Sequence, residues 1–342
     1  MIFNLTEHEH HSGRINKETL SAIVNQIETQ GYAVVNNLIS PETCDLLNTA
    51  ILEDVELVRA SDKPTPHEIA TGQGHLQLGL RRFAPYVRSD LVANPLIENI
   101  VAGVLGPGAW LGFYNGNVNC PASVHQPLHF DRPFSWKTPE EAAEDNQNWP
   151  PPTTTLSCSV ALSEITETNG ATEIYPGTHH ETAVTKWPSG ERISNHPELI
   201  EQWGPAERMT IPVGGICFRD PRMWHRGVPN PTNRPRPMIA LTYHSEKGQS
   251  WRGLLAKDMD PEAINRCREN PSLRLMDDGT IGDGRLVFEE NTREAFTSKP
   301  TLHQINRNIR FVGAPQRVNH FRGAHLVGGA RVVDDGDISP SG

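Results

Sequence analysis

The chain reads as an α+β protein in which helices come first and a β-sandwich or jelly roll follows. Three observations lead there. Apolar residues recur at helical spacing through the N-terminal part, then from Trp110 onward they alternate with a period of two in a series of short stretches. The pair Gly214-Gly215 supplies a tight turn between two of those stretches. With 342 residues the chain is long enough for a sizeable core.

Met1 to Leu5 is too short an apolar run for a signal peptide, and Glu7-His8-Glu9-His10-His11 after it reads as a frayed, solvated terminus rather than a metal chelator. Leu20, Ile23, Val24 and Ile27 share one face of a helix over Lys17–Gln30, and Gly31 closes it. Tyr32–Val35 is a short strand. Ser40-Pro41 offers an N-cap and a first-turn proline, and Cys44, Leu46, Leu47, Ile51 and Val55 carry a second helix to about residue 59. The stretch 61–79, rich in Pro, Thr, His and Gly, has no period and reads as a loop. A third helix is expected over 91–105, stopped by Gly106-Pro107-Gly108.

Strands are expected at 110–120, 128–131, 155–162, 172–175, 209–213, 216–218 and 237–244. From Leu156 to Leu162 large apolar residues alternate with small ones, so one face suits packing against helices while the other leaves room for a ligand. The insert 133–152, with Phe134, Trp136 and Trp149, is either a substrate lid or a structural loop. Beyond His244 the chain turns polar and Gly/Asp-rich, with a helix expected at 261–269 and a poorly ordered tail from 323. The expected division is a core domain over 1–250 and an irregular extension over 251–342. The extension packs on the core or forms a subunit contact, which leaves a homodimer open.

A formal charge of −10 without a run of Lys or Arg argues against nucleic-acid or membrane partners and leaves a small molecule as the partner class. No apolar stretch is long enough for a membrane span. Five cysteines, widely spaced and without a Cys-x-x-Cys pair, indicate neither a disulfide framework nor a zinc knuckle, and so point to a reducing, cytoplasmic setting.

The chemistry centres on Val124-His125-Gln126-Pro127-Leu128-His129-Phe130-Asp131-Arg132. Alternate strand residues face one way, so His129 and Asp131 converge, and His225 is the candidate third ligand. Two histidines and a carboxylate with the opposite positions open suit non-haem Fe(II) that binds a cosubstrate and oxygen. A His-x-Asp pair alone is weak, since His196-x-Glu198 has the same form. The ordered set is stronger: His129-x-Asp131, then Asn169-Gly170-Ala171-Thr172-Glu173-Ile174-Tyr175-Pro176-Gly177-Thr178-His179, then His225, then Arg236.

These segments, together with the opening Gln30-Gly31-Tyr32-Ala33-Val34-Val35, resemble the phytanoyl-CoA dioxygenase-like family of Fe(II)- and 2-oxoglutarate-dependent oxygenases over roughly 23–244. Thr178 stands where that family usually has Ser. The resemblance implies a double-stranded β-helix (jelly-roll) core, with His129, Asp131 and His225 as metal ligands and Arg236 as the partner of the distal carboxylate of 2-oxoglutarate. Thr172 and Gln126 fall where some relatives have further cosubstrate contacts, and Arg234 is the neighbouring alternative to Arg236. The implied activity uses Fe(II), 2-oxoglutarate and O2 to oxidise, most simply to hydroxylate, a small molecule such as a specialised metabolite or acyl compound, with release of succinate and CO2. Asp131 disfavours a halogenase, because a halide would need its place. The other readings are a catalytically silent binding relative and a cupin-like metal enzyme that does not use 2-oxoglutarate. Neither needs a dicarboxylate anchor. His179, His180 and His244 are expected to be structural, and Trp110, Phe113 and Tyr114 to be core.

Overall fold

The computed structural model describes residues 1–60, 64–78, 85–86, 88–188 and 190–245, together with four two-residue strands, Leu254–Leu255, Leu275–Met276, Leu286–Val287 and Arg310–Phe311. The helix expected at 261–269 and the tail from 323 lie outside these residues.

The N-terminus is ordered rather than frayed. Strand β1 (Ile2–Phe3) precedes helix α1 (Glu7–Ser12), whose N-terminus is a capping box between Thr6 and Glu9. The Glu9 carboxylate is buried and also accepts from the backbone N–H and side-chain amide of Asn16, at 2.9 and 2.7 Å. What looked like a charged tail is therefore a helix start that satisfies its orphan N–H groups locally. Helix α2 (Lys17–Gln30), strand β2 (Tyr32–Val35) and helix α3 (Pro41–Arg59), capped by Ser40, stand as their patterns predict.

The stretch expected as a loop holds helix α4 (Pro66–Thr71) and strand β3 (His75–Leu78). One turn and a half of helix is too short to show a period, although Thr65, Pro66 and Glu68 form its capping box and first turn. All four residues of β3 are buried, so they do not alternate. The third helix is two: α5 (Ser89–Val92) and α6 (Pro95–Leu105), separated where Asn94 caps the second and Pro95 begins it.

The remaining elements are strand β4 (Trp110–Asn119), helix α7 (Pro139–Glu144), strands β5 (Thr155–Ala161) and β6 (Glu173–Ile174), helix α8 (Pro197–Gln202), and strands β7 (Glu207–Arg208), β8 (Ile216–Arg219), β9 (His225–Arg226) and β10 (Arg236–His244). Seven strands form one sheet in the order β1-β2-β8-β5-β10-β4-β3, antiparallel except for the β1–β2 pair. Three short ones form a second, β7-β6-β9. Residues 128–131 and 209–213 are not strands; each is joined to its neighbour by an isolated bridge, His129 to His225 and Ile165 to Ile211.

The period of two sorts the large sheet into two faces. Leu156, Cys158 and Val160 of β5 and Ile239, Leu241 and Tyr243 of β10 pack with Leu47, Ile51 and Val55 of α3 and Ile97 and Ile100 of α6 in the main core. Ser157 and Ser159 of β5 and Met238, Ala240 and Thr242 of β10 lie on the opposite face and line a cavity. Burying the aliphatic face supplies most of the stability of such a layer, at roughly 25 cal/mol per Å² of apolar surface. No helix among the described residues is long and apolar enough to cross a membrane.

Candidate active site

The cavity, of about 180 Å³, is lined by the free face of the large sheet, by α4 and by the segments around His129 and His225. His129 and His225 exchange both backbone hydrogen bonds, 3.0 Å from His129 N–H to His225 C=O and 2.9 Å in return. Directly opposed residues point to the same side, so the two imidazoles lie with centroids 4.4 Å apart. Asp131 completes the group: its Oδ1 is 3.7 Å from His129 Nε2 and its Oδ2 is 3.4 Å from His225 Nε2. The three donor atoms all lie within 4.8 Å of one another. Tautomers fit a cation here. His129 Nδ1 is 2.7 Å from the Pro127 carbonyl and His225 Nδ1 is 2.9 Å from that of Met223. Each Nδ1–H donates to its carbonyl, which leaves each Nε2 lone pair facing the centre.

Arg219, from the end of β8, donates from Nη2 to Asp131 Oδ2 at 2.6 Å. Nothing in the sequence pattern around Arg219 marks it as part of the site. Its Nη1 also comes within 3.1 Å of His225 Nδ1, but that nitrogen already carries the proton given to Met223, so the Asp131 contact is the bond that counts. Burial would raise the Asp131 pKa; in the metal-free protein the imidazolium form of His225 and the Arg219 guanidinium outweigh that and hold the carboxyl well below its ordinary range. Burial, reinforced by neighbouring His225, pushes His129 down to about 4, so it is neutral and free to ligate near pH 7.

Arg236 begins β10 and is buried at the edge of the cavity. Its Nε donates to Asn169 C=O at 3.2 Å and one Nη to Gly170 C=O at 2.8 Å, and no carboxylate among the described residues pairs with it. Burial lowers its pKa to about 10, so it still holds its charge. Arg234 is exposed and lies before the strand begins. Thr172 and Gln126 both line the cavity, and Gln126 Oε1 accepts from Gly227 N–H at 2.9 Å.

The segment 169–179 has a mechanical role that its residue types did not announce. Its head supplies the two carbonyls that hold Arg236. At its tail the Thr178 hydroxyl donates to Tyr175 C=O at 2.6 Å and accepts from Trp224 N–H at 2.9 Å, which fixes the residue before His225. Gly170 has φ +82°, and any Cβ there would collide with the Asn119 amide. Below the site, Asp220 and Arg222 form a buried pair at 2.6 Å that braces the turn from β8 to β9. Neighbouring side chains have other roles. Arg226 pairs with Glu173 across β9 and β6 at 2.7 Å. Phe134 is buried under Arg222 and Trp136 donates to Asp145; neither lines the cavity, whereas Phe113, expected in the core, does. His179 and His180 both meet the Glu28 carbonyl, at 2.9 and 2.8 Å, and so are structural.

A helix-backed antiparallel sheet with a two-histidine, one-carboxylate cluster facing a cavity is the plan of a mononuclear non-haem oxygenase. The chain belongs to the phytanoyl-CoA dioxygenase (PhyH) family, whose family model matches residues 27–238. Among curated relatives it is 25% identical over 156 residues to Dioxygenase trt7 of Aspergillus terreus, a match that covers 45% of this chain and about half (52%) of that one. It is 24% identical over 242 residues to Ectoine dioxygenase of Bordetella bronchiseptica, covering 65% of this chain and 74% of that one. It is also 24% identical over 191 residues to the Iron/alpha-ketoglutarate-dependent dioxygenase penM of Penicillium thymicola, covering 54% and 58%.

Proposed function

We propose that this protein is an Fe(II)- and 2-oxoglutarate-dependent dioxygenase that oxidises a small organic molecule, in a catalytic domain spanning 1–250 built as a double-stranded β-helix. The observation that carries the reading is Arg236. A buried guanidinium that keeps its charge, donates to two carbonyls, has no carboxylate partner among the described residues and lines the cavity shared by His129, Asp131 and His225 calls for an anion brought in from outside. A cupin-like enzyme has no use for a dicarboxylate anchor, and a silent binding module has no need of the three metal-ligating side chains and the arginine together.

His129 Nε2, Asp131 and His225 Nε2 would hold the iron. Bound iron, with 2-oxoglutarate and O2, supplies the oxidising chemistry, with succinate and CO2 as by-products. The chain's own residues place and shield. Arg236 offers a fork to the distal carboxylate, Thr172 and Gln126 on the same cavity wall are assigned as further cosubstrate contacts, and Arg219 holds the Asp131 carboxylate in position. Met238, Met209 and Phe113 give the cavity apolar surface that excludes water. With Asp131 occupying the position a halide would take, oxygen insertion, most simply hydroxylation, is the outcome assigned. A small substrate accords with the cavity's size and with a named relative such as the ectoine dioxygenase. The buried, unpaired Cys44, Cys120, Cys158 and Cys217 accord with a reducing, cytoplasmic setting, and we assign the extension 251–342 to a cover or subunit contact.

The test is anaerobic addition of Fe(II) and 2-oxoglutarate, followed by air. A visible iron-to-2-oxoglutarate charge-transfer band, then slow succinate formation without substrate, is expected. Iron-loaded protein that shows neither would sink the reading in favour of a metal enzyme without this cosubstrate.

A further inference from the structure

The proposed function accounts for two of the three guanidinium groups on the cavity wall. The third is Arg132. In a chain of net charge −10, the described cavity lining carries Arg132, Arg219 and Arg236 against one carboxylate, Asp131. Arg219 is neutralised by Asp131 at 2.6 Å, and Arg236 is assigned to the cosubstrate. With Arg132, Arg219, Arg236 and an iron dication set against Asp131 and the dianionic cosubstrate, two positive charges are left over, one of them on Arg132.

The backbone explains why this side chain is there at all. In a regular strand Arg132 would point away from Asp131. Instead the chain bends at both residues, and both N–H groups reach the Pro221 carbonyl, at 2.8 Å from Asp131 and 3.3 Å from Arg132. The bend turns Arg132 onto the same cavity as the metal cluster. Among the described residues no hydrogen bond or ion pair engages its guanidinium. Arg132 is partly buried with Asp131 favouring its charge, and the guanidinium fork it brings to the cavity wall matches an oxyanion.

We propose that Arg132 is a substrate-recognition residue and that the substrate of this site carries an oxyanion, a carboxylate or a phosphate, gripped by that fork next to the metal. This inference rests on the proposed function for the separate assignment of Arg236 to 2-oxoglutarate.

The probes are 4-fluorobenzoate, 4-fluorophenyl phosphate and, as neutral control, 4-fluorobenzamide. Their binding is followed by fluorine NMR on the full chain with Zn(II) in place of iron and 2-oxoglutarate saturating. At least one anion is expected to bind the wild type about tenfold or more tighter than the amide, the gain of a charged hydrogen-bonded pair. Arg132→Gln should bring that anion to the amide's level, and Arg132→Lys should keep part of the difference. Preference for the benzoate or for the phosphate identifies the source of the oxyanion. Anions that bind the wild type no better than the amide, no binding included, overturn the proposal. So does anion binding that Arg132→Gln leaves unchanged. The charge-transfer band of the Fe(II) form is read in parallel. If it forms while anion binding ignores Arg132, this inference fails alone; if it is absent while anions still depend on Arg132, the cosubstrate assignment fails and the anion site stands.

Discussion

The two walls of the cavity are built in different ways. One is the free face of long, continuously paired strands: β10 keeps its register with β4 and β5 for most of its length, and Met238, Ala240 and Thr242 face inward by simple alternation. The other, which carries the candidate metal-binding cluster His129, Asp131 and His225, has almost no regular structure. His129 rests on a single bridge to a two-residue strand, and Asp131 lies in a bend. Long strands set the shape of a cavity cheaply, because each hydrogen-bonded pair aims the next. A ligand cluster needs three side chains to converge, and a flat strand cannot curve enough for that. Bends, bridges and buried ion pairs do so here, and they must be held by neighbours such as Thr178 and Asp220.

This contrast sets the order of expected effects. The largest belongs to the irregular wall. Asp131→Ala or His225→Ala should weaken metal binding by orders of magnitude, read by anaerobic Fe(II) titration, while circular dichroism of the large sheet stays unchanged. Wild-type metal affinity in both variants would remove the cluster from consideration.

Arg219 joins the two walls, reaching from β8 to Asp131. Replacing it by Met leaves Asp131 without its cation in the metal-free protein, a loss of about 1–3 kcal/mol. Saturating Zn(II) should restore part of the loss, since the metal takes over as counter-ion. Thermal melts of the variant with and without Zn(II) measure this, and an equal deficit in both would mean that Arg219 serves packing alone.

On the regular wall, Arg236→Ala should raise the Michaelis constant for 2-oxoglutarate roughly ten-fold to a hundred-fold, the value of a charged bidentate pair, with Fe(II) affinity little changed. Exposed Arg234→Ala is the control and should leave that constant near wild type. A larger effect at 234 than at 236 would place the strand start wrongly.

The smallest effect concerns what props the irregular wall from behind. His179 is buried beside Gly31, and burial, with His180 alongside, lowers its pKa from 6.5 to about 4. The folded state thus refuses a proton that the unfolded state accepts, so this contribution is complete above about pH 6.5 and is lost as pH falls toward 4. Urea unfolding of the metal-free protein should show stability falling across that window, and His179→Gln should flatten the slope. An unchanged slope would assign the acid sensitivity to other groups.

Much of this molecule could be read from residue order. Helices α2 and α3 show their period and caps openly, and Ser157 and Ser159 announce a small face in a strand of large residues. The candidate ligand set, which the structure brings together, could be picked out because His129 and Asp131 are two apart and the segment 169–179 lies between them and His225. Legibility failed where an element is too short to have a period, as in α4 and β3, or where polar capping imitates disorder, as with Glu9 in α1. It failed also for Arg219, whose neighbours Phe218 and Asp220 give no hint that its partner lies in the His129 segment.

The sequence by itself determined the alternation of the long strands, the helix boundaries set by Gly31 and Ser40, and the residue types able to hold a metal, because each of these depends on contacts within a few positions. Tertiary structure alone decided that Arg219 neutralises Asp131, that Gly170 and Asn169 present carbonyls to Arg236, and that a bend turns Arg132 into the cavity. Those depend on groups tens of residues apart meeting in a buried place, where an unpaired charge is costly and the partner is set by packing rather than by proximity in the chain.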